Sequence, residues 1–225
     1  VRDMDANSTD RTLSRGRSVS GKFASMLALA ALVGAVGAGA SSAKPSSPSC
    51  TVPSANAQPF LLWHDNGSYF LAPGGAFESP QDLQGWSMSG AVGLTNGNEK
   101  WYVHAHGDAS SLLLPAGSAA TSPAICVSIH SPVMRFFMKS GGQSSRLNVS
   151  LNYTDKNGYA RTASLGSFAP GSDWTLSPQV LFLNYIAPVV GGQGQTSVSF
   201  TFFVPSGSSA GSRIDDLYID PLKSQ

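Results

Sequence analysis

Two places in the chain combine residue type and spacing in a way that could do chemistry. The first is Arg213-Ile214-Asp215-Asp216-Leu217-Tyr218-Ile219-Asp220-Pro221, where three carboxylates share one apolar strand that stops at proline. Carboxylates folded into such a strand need hydrogen bonds, water or a cation to offset their desolvation. The second is His104-Ala105-His106-Gly107-Asp108. On a strand both imidazoles share a face and a carboxylate follows, a set that could bind a metal. A pair of half-exposed strand histidines accounts for the same residues without an ion. His64-Asp65 and His130 are the remaining candidates to complete such a site. Serines are abundant, yet no Gly-x-Ser-x-Gly elbow occurs. Gly191-Gly192-Gln193-Gly194 lacks the lysine and helix of a phosphate loop and reads as a turn. A glycosidase needs two carboxylates facing one bond, and the ten scattered acids from Lys44 onward decide nothing either way.

The elements that must position these residues are strands. Leu147, Val149, Leu151 and Tyr153 alternate with Arg146, Asn148, Ser150 and Asn152, and Val198, Phe200, Phe202 and Val204 alternate with Ser197, Ser199 and Thr201. Period two marks half-buried strands, and no segment carries a helical stripe over ten residues. Further strands are expected at Phe60–Trp63, Tyr69–Ala72, Trp86–Ser89, Trp101–His106, Ser111–Leu114, Ala124–His130, Val133–Lys139, Tyr159–Leu165 and Val180–Asn184. Asn66-Gly67, Pro73-Gly74-Gly75, Asn96-Gly97, Asn157-Gly158, Gly191-Gly192 and Pro205-Ser206-Gly207 punctuate them, with Asn157-Gly158 the clearest hairpin turn. About ten or eleven short strands imply an all-β chain, a single β-sandwich with jelly-roll or Greek-key connections.

The first 43 residues stand apart. Arg11, Arg15, Arg17 and Lys22 precede seventeen uncharged residues, Phe23 to Gly39, and then the small-residue runs Ala38-Gly39-Ala40 and Ser41-Ser42-Ala43. A basic segment, an apolar segment and a small-residue exit describe a secretory signal peptide over 1–43, cleaved after Ala40 or Ala43. An uncleaved anchor is the alternative, although a span wants about 20 strongly apolar residues. A Pro/Ser-rich leader over 44–57 follows, then the sandwich over 58–225. From Lys44 onward nine Lys and Arg face ten Asp and Glu. So sparse a charge offers no footprint for nucleic acid, nor for a membrane surface once the signal is removed. Cys50 and Cys126 are the only cysteines, and in an exported protein such a pair is most simply a disulfide.

The run Gly75-Ala76-Phe77-Glu78-Ser79, then Leu83, then Gly85-Trp86, and the closing Ile214-Asp215-Asp216-Leu217-Tyr218-Ile219 resemble the galactose-binding-like jelly roll of many secreted carbohydrate-binding modules. The stretch from Cys50 to Pro221 also resembles uncharacterised secreted bacterial proteins with that sandwich. The resemblance implies a structural calcium between the opening and closing segments, with Glu78 and Asp215 or Asp216 as ligands. The chemistry is compatible, because calcium takes six to eight oxygens. Strict alternation places Asp215 on the face of Leu217 and Ile219. If those two are core, Asp215 is the buried, hydrogen-bonded acid and Asp216 points elsewhere.

The resemblance implies a function in glycan binding, where exposed aromatics stack on sugar rings. Trp86 matches the core tryptophan of such folds. Trp174, after Gly171-Ser172-Asp173 in a loop, and Trp101, beside Tyr102 on the opposite face, are the candidate ligand-binding residues. The reading is a secreted, non-catalytic module for an extracellular or cell-envelope glycan. A structural or adhesive surface protein suits the serine, threonine and glycine content, and a polysaccharide-active enzyme on the same sandwich trails for want of a convergent acid–base set.

Overall fold

The computed structural model of the protein describes residues 50–130, 133–142, 145–190 and 194–220. The expected signal segment 1–43 and the first part of the leader lie outside them. Among the described residues the elements are β1 (Phe70–Leu71), β2 (Ser87–Ser89), β3 (Gly93–Asn96), β4 (Ser110–Leu114), β5 (Ala119–Thr121), β6 (Ile125–Ser128), β7 (Val133–Ser140), β8 (Leu147–Thr154), β9 (Ala160–Phe168), β10 (Thr175–Leu176), β11 (Val180–Leu181), β12 (Gln195–Phe203) and β13 (Ser212–Asp220), with one helix, α1 (Leu183–Val190). The strands form two antiparallel sheets. One runs β10-β7-β13-β4-β3, with β1 on β13 and β11 on β7; the other runs β2-β5-β12-β8-β9, with β6 on β12. The chain is therefore the all-β sandwich that its alternating pattern implies.

The alternation explains the packing. In β12, Val198, Phe200 and Phe202 turn inward opposite Tyr153, Leu151 and Val149 of β8. Phe136 from the other sheet meets Phe202 edge-on at 5.1 Å, and Phe182 meets Phe200 at 5.2 Å. Trp86 is buried with its indole N–H donated to the Pro73 carbonyl, as expected of a core tryptophan. The Asn157-Gly158 turn joins β8 to β9, with Gly158 at φ 87°. Cys50 and Cys126 form a disulfide, and Ala57 bridges to Tyr69, so the described part of the leader, 50–57, is held at both ends.

Three expectations are corrected. Phe60–Trp63 is not a strand but the approach to a 3-10 turn, Leu61–Trp63, which His64 closes in the left-handed region. Trp101–His106 is a loop, because its backbone amides are taken by carboxylates rather than by a neighbouring strand. Val180–Asn184 divides into β11 and the start of α1, a helix too short, and interrupted by Pro188, to show a long stripe. No helix among the described residues is long and apolar enough to cross a membrane.

The phase of β13 also departs from strict alternation. Register shifts between Asp215 and Tyr218, and Asp216 takes φ 48°. This bulge lets both Ile214 and Leu217 reach the central core, three residues apart, and carries Asp215 and Tyr218 to the outer face. Asp215 therefore shares a face with Tyr218 and not with Leu217, and both Asp215 and Asp216 are fully buried.

Candidate functional site

The outer face of the seven-stranded sheet is roofed rather than open. Phe60, Tyr69, Phe137, Trp174 and Tyr218 form a second buried cluster, with Trp63 and Trp101 packed on its rim. Trp101 stacks on Phe137 at 5.4 Å and meets Trp63 edge-on at 4.9 Å. Trp174 is buried under the Arg213 guanidinium, so it has no open face to give a sugar ring. Trp101 is half-buried and carries the Lys100 ammonium on its ring. Its neighbour Tyr102 points outward from a left-handed backbone. The roof is pinned at Asp65, whose carboxylate accepts from Tyr69 Oη at 2.7 Å and Arg135 Nη1 at 2.7 Å.

Under the loop from Gly97 to Ala109 lies an acidic cluster. Gly97 N–H bonds the Ala109 carbonyl and closes the loop. Glu99, fully buried, organises it from within: its carboxylate accepts from Trp101 N–H at 2.5 Å and Val103 N–H at 2.6 Å, and its own N–H donates to Asp215 Oδ2 at 2.9 Å. Glu78 accepts from Ala109 N–H at 2.7 Å and Ser110 N–H at 3.0 Å. Asp108 accepts from Ala105 N–H and lies 2.9 Å from His104 Nδ1. Asp216 differs from all of these. Neither of its carboxylate oxygens has a partner in hydrogen-bonding geometry, although the His104 backbone amide favours its charged form.

Electrostatics make this cluster costly. Burial pushes the Asp215 carboxyl up to about 9, reinforced by Asp216. Burial likewise pushes Asp216 up to about 8, reinforced by Glu99, Asp108 and Glu78. Burial raises Glu99 as well, against the amides that hold it down. Five carboxylates thus converge, and for Asp216, which lacks a hydrogen-bond partner, a proton or a cation would offset the charge.

The three carboxylates that the resemblance implies for calcium carry different hydrogen bonds. Glu78 spends both oxygens on backbone amides, and Asp215 takes the Glu99 and Asp216 amides. Of that set Asp216 alone carries unpartnered oxygens, and what it faces is His104 and Asp108. The His-x-His-Gly-Asp motif contributes its first imidazole and its carboxylate; His106 is exposed and stands outside the group. Glu99 had no sequence signature, being a lone acid in a polar loop.

The outer face of the six-stranded sheet is the opposite case. Ser197, Ser199 and Thr201 of β12 and Ser150 and Asn152 of β8 point outward. They are cross-linked: Thr121 Oγ1 meets Thr201 Oγ1 at 2.8 Å, Asn152 Nδ2 donates to Thr201 Oγ1 at 2.8 Å, and Thr162 Oγ1 donates to Asn152 Oδ1 at 2.9 Å. This hydroxyl and amide ladder spans four strands and borders a groove of about 550 Å³ that also includes Ser122, Thr154 and Arg161. Tyr159, 63% exposed, stands beside the groove with Arg161 over its ring.

No protein-family model and no curated protein matches the sequence. Solved structures do resemble the fold. A CBM22-1 xylan-binding domain from Paenibacillus barcinonensis is similar at 16% identity, covering 71% of this chain and 97% of that one, with a TM-score of 0.45. The carbohydrate-binding module TmCBM61, solved with β-1,4-galactotriose, is similar at 18% identity over 64% of this chain and 90% of that one, TM-score 0.35. A cleaved adhesin domain of the Porphyromonas gingivalis Lys-gingipain is similar at 11% identity over 70% and 100%, TM-score 0.42. Likeness at this level concerns the path of the chain, not what it binds.

Proposed function

We infer that the protein is a secreted module that binds a neutral glycan, and that the glycan lies in the groove on the outer face of the six-stranded sheet. The observation that carries this reading is the ladder Thr121–Thr201–Asn152–Thr162. Sugar hydroxyls donate and accept in the same way as these side chains. A side chain already fixed by its neighbours loses little freedom when a ligand binds. Tyr159 supplies an exposed ring at the groove's edge, a role that buried Trp174 and half-buried Trp101 are badly placed to fill. Export is supported by the basic-then-apolar start of the chain and by the Cys50–Cys126 disulfide.

The test is retention of the folded protein on neutral polysaccharides, with xylan and β-1,4-galactan among them. Retention that is lost in Asn152→Ala and in Ser199→Phe, which fills the groove, supports the reading. Retention unchanged in both variants moves the site elsewhere. An intact protein retained on no polysaccharide would leave the adhesive or structural surface protein as the better account.

A further inference from the structure

The acidic cluster sets a hydrogen-bonded pair, His104 and Asp108, beside a carboxylate with no hydrogen-bond partner, Asp216. One donor atom from each of His104, Asp108 and Asp216 lies within 4.8 Å of the other two. Asp216 is fully buried and neither of its oxygens has a partner. An ionised carboxylate left so is among the most costly arrangements a folded chain can carry. The cost is compounded by backbone: Asp216 sits at φ 48°, where a non-glycine residue is strained. The protein satisfies its other acids here, since the buried Glu99 and Asp215 and the partly buried Glu78 each accept amide hydrogens. Asp216 is the exception among them.

We propose that His104, Asp108 and Asp216 are the protein ligands of a divalent first-row transition metal, zinc in the first instance, rather than of calcium. The donor set decides the ion. Calcium takes six to eight oxygens, whereas one imidazole with two carboxylates is the mixed set that zinc and its neighbours accept. The spacing fits as well. Ligand atoms bound at about 2.0–2.2 Å to one ion stand roughly 3–3.5 Å apart, so an ion here would replace the 2.9 Å hydrogen bond between His104 Nδ1 and Asp108 Oδ2 with only a small separation of the two. Bringing Asp216 onto the same ion needs a contraction of the set, not a rearrangement of the strands. His104 is partly exposed while the Asp108 side chain is nearly covered, so the ion has a protein-lined inner side and a solvent-facing position for water. Its effect would be to tie the loop that holds Trp101 and Glu99 onto the bulge of β13.

The experiment uses tag-free full chain, stripped with a chelator and returned to buffer. Zinc, manganese and calcium are titrated separately by calorimetry, and cobalt is added for its visible absorption. The expected result is one zinc per chain, bound at least about tenfold more tightly than calcium, and a cobalt band reporting nitrogen and oxygen ligation. His104→Ala and Asp216→Asn should each weaken zinc by about tenfold or more. Asp216→Asn preserves shape and removes a buried charge, so it keeps the test open should His104→Ala disturb the loop. His106→Ala controls for chance capture by an exposed histidine and should change nothing. Calcium binding more tightly than zinc, zinc binding that survives Asp216→Asn, or no ion bound at all would each overturn the proposal. None of these measurements involves a glycan, so the groove reading and the metal reading fail independently.

Discussion

The two sheets of the sandwich have opposite outer faces, though their strands alternate with the same period. The seven-stranded sheet presents Phe137, Trp174 and Tyr218 outward and is covered by the segment around Phe60–Tyr69 and by the loop from Gly97 to Ala109. The six-stranded sheet presents Ser150, Asn152, Ser199 and Thr201 outward, with no comparable roof among the described residues. Outward aromatics cannot be left bare in quantity, so the chain spends two connecting segments on covering them. Outward hydroxyls can be left bare and remain available to a ligand. On the reading proposed above, the aromatic face serves stability and the hydroxyl face recognition, the reverse of what exposed-aromatic reasoning assigns to Trp174 and Trp101.

The largest effect that tests this contrast is the loss of Trp174. It is buried in the covered cluster, and Trp174→Ala should cost about 3–5 kcal/mol. For a chain of this size that lowers Tm by roughly 10 °C. At a temperature where the variant remains folded, glycan retention should match the parent. Retention lost without a change in Tm would reverse the assignment and make Trp174 a sugar platform.

How far the sequence discloses these faces depends on whether the backbone is regular. β8 and β12 are legible because Leu147–Tyr153 and Val198–Val204 alternate without interruption, and their outward serines, threonines and asparagine follow directly. β13 misleads at one residue: the bulge at Asp216 reverses the phase beyond it, and nothing in Asp215-Asp216-Leu217 distinguishes a bulge from a plain strand. The loop misleads for a related reason. Trp101-Tyr102-Val103-His104 alternates like a strand, but its amides are captured by the buried Glu99, a contact set by tertiary structure alone. His104 and Asp108 are visible as a motif, yet their meeting with Asp216 joins segments more than a hundred residues apart.

A smaller effect separates the buried acids of the covered face from the neutral groups of the open one. Burial first, and neighbouring carboxylates next, push Asp215 up to about 9 and Asp216 up to about 8. An acid whose folded value is raised holds its proton more tightly folded than unfolded. Its contribution is fully present below about pH 4, the unfolded value, and is lost as pH rises through 8 to 9. With a chelator present, Tm should therefore be lower at pH 8 than at pH 5. Asp216→Asn should flatten that slope and raise Tm at pH 8. A Tm that rises between pH 5 and 8, or a slope unchanged by Asp216→Asn, would show that the cluster is satisfied without proton or ion.

The smallest effect belongs to the ladder, and its smallness is the point. Asn152 donates to Thr201 and accepts from Thr162, but all three side chains also border solvent. In Asn152→Ala water can replace the lost partners, so the net cost is that of one or two ordinary hydrogen bonds, about 1 kcal/mol. That corresponds to roughly 2–4 °C in Tm for a chain of this length. The same substitution removes the central amide of the groove and should abolish retention on the polysaccharide that the parent binds. Thermal denaturation and affinity electrophoresis on one preparation give both numbers. A near-native Tm with lost retention marks a surface kept polar for a ligand. A fall in Tm as large as that of Trp174→Ala would instead show that the ladder is a fastening between strands, and the two outer faces would then differ in chemistry but not in purpose.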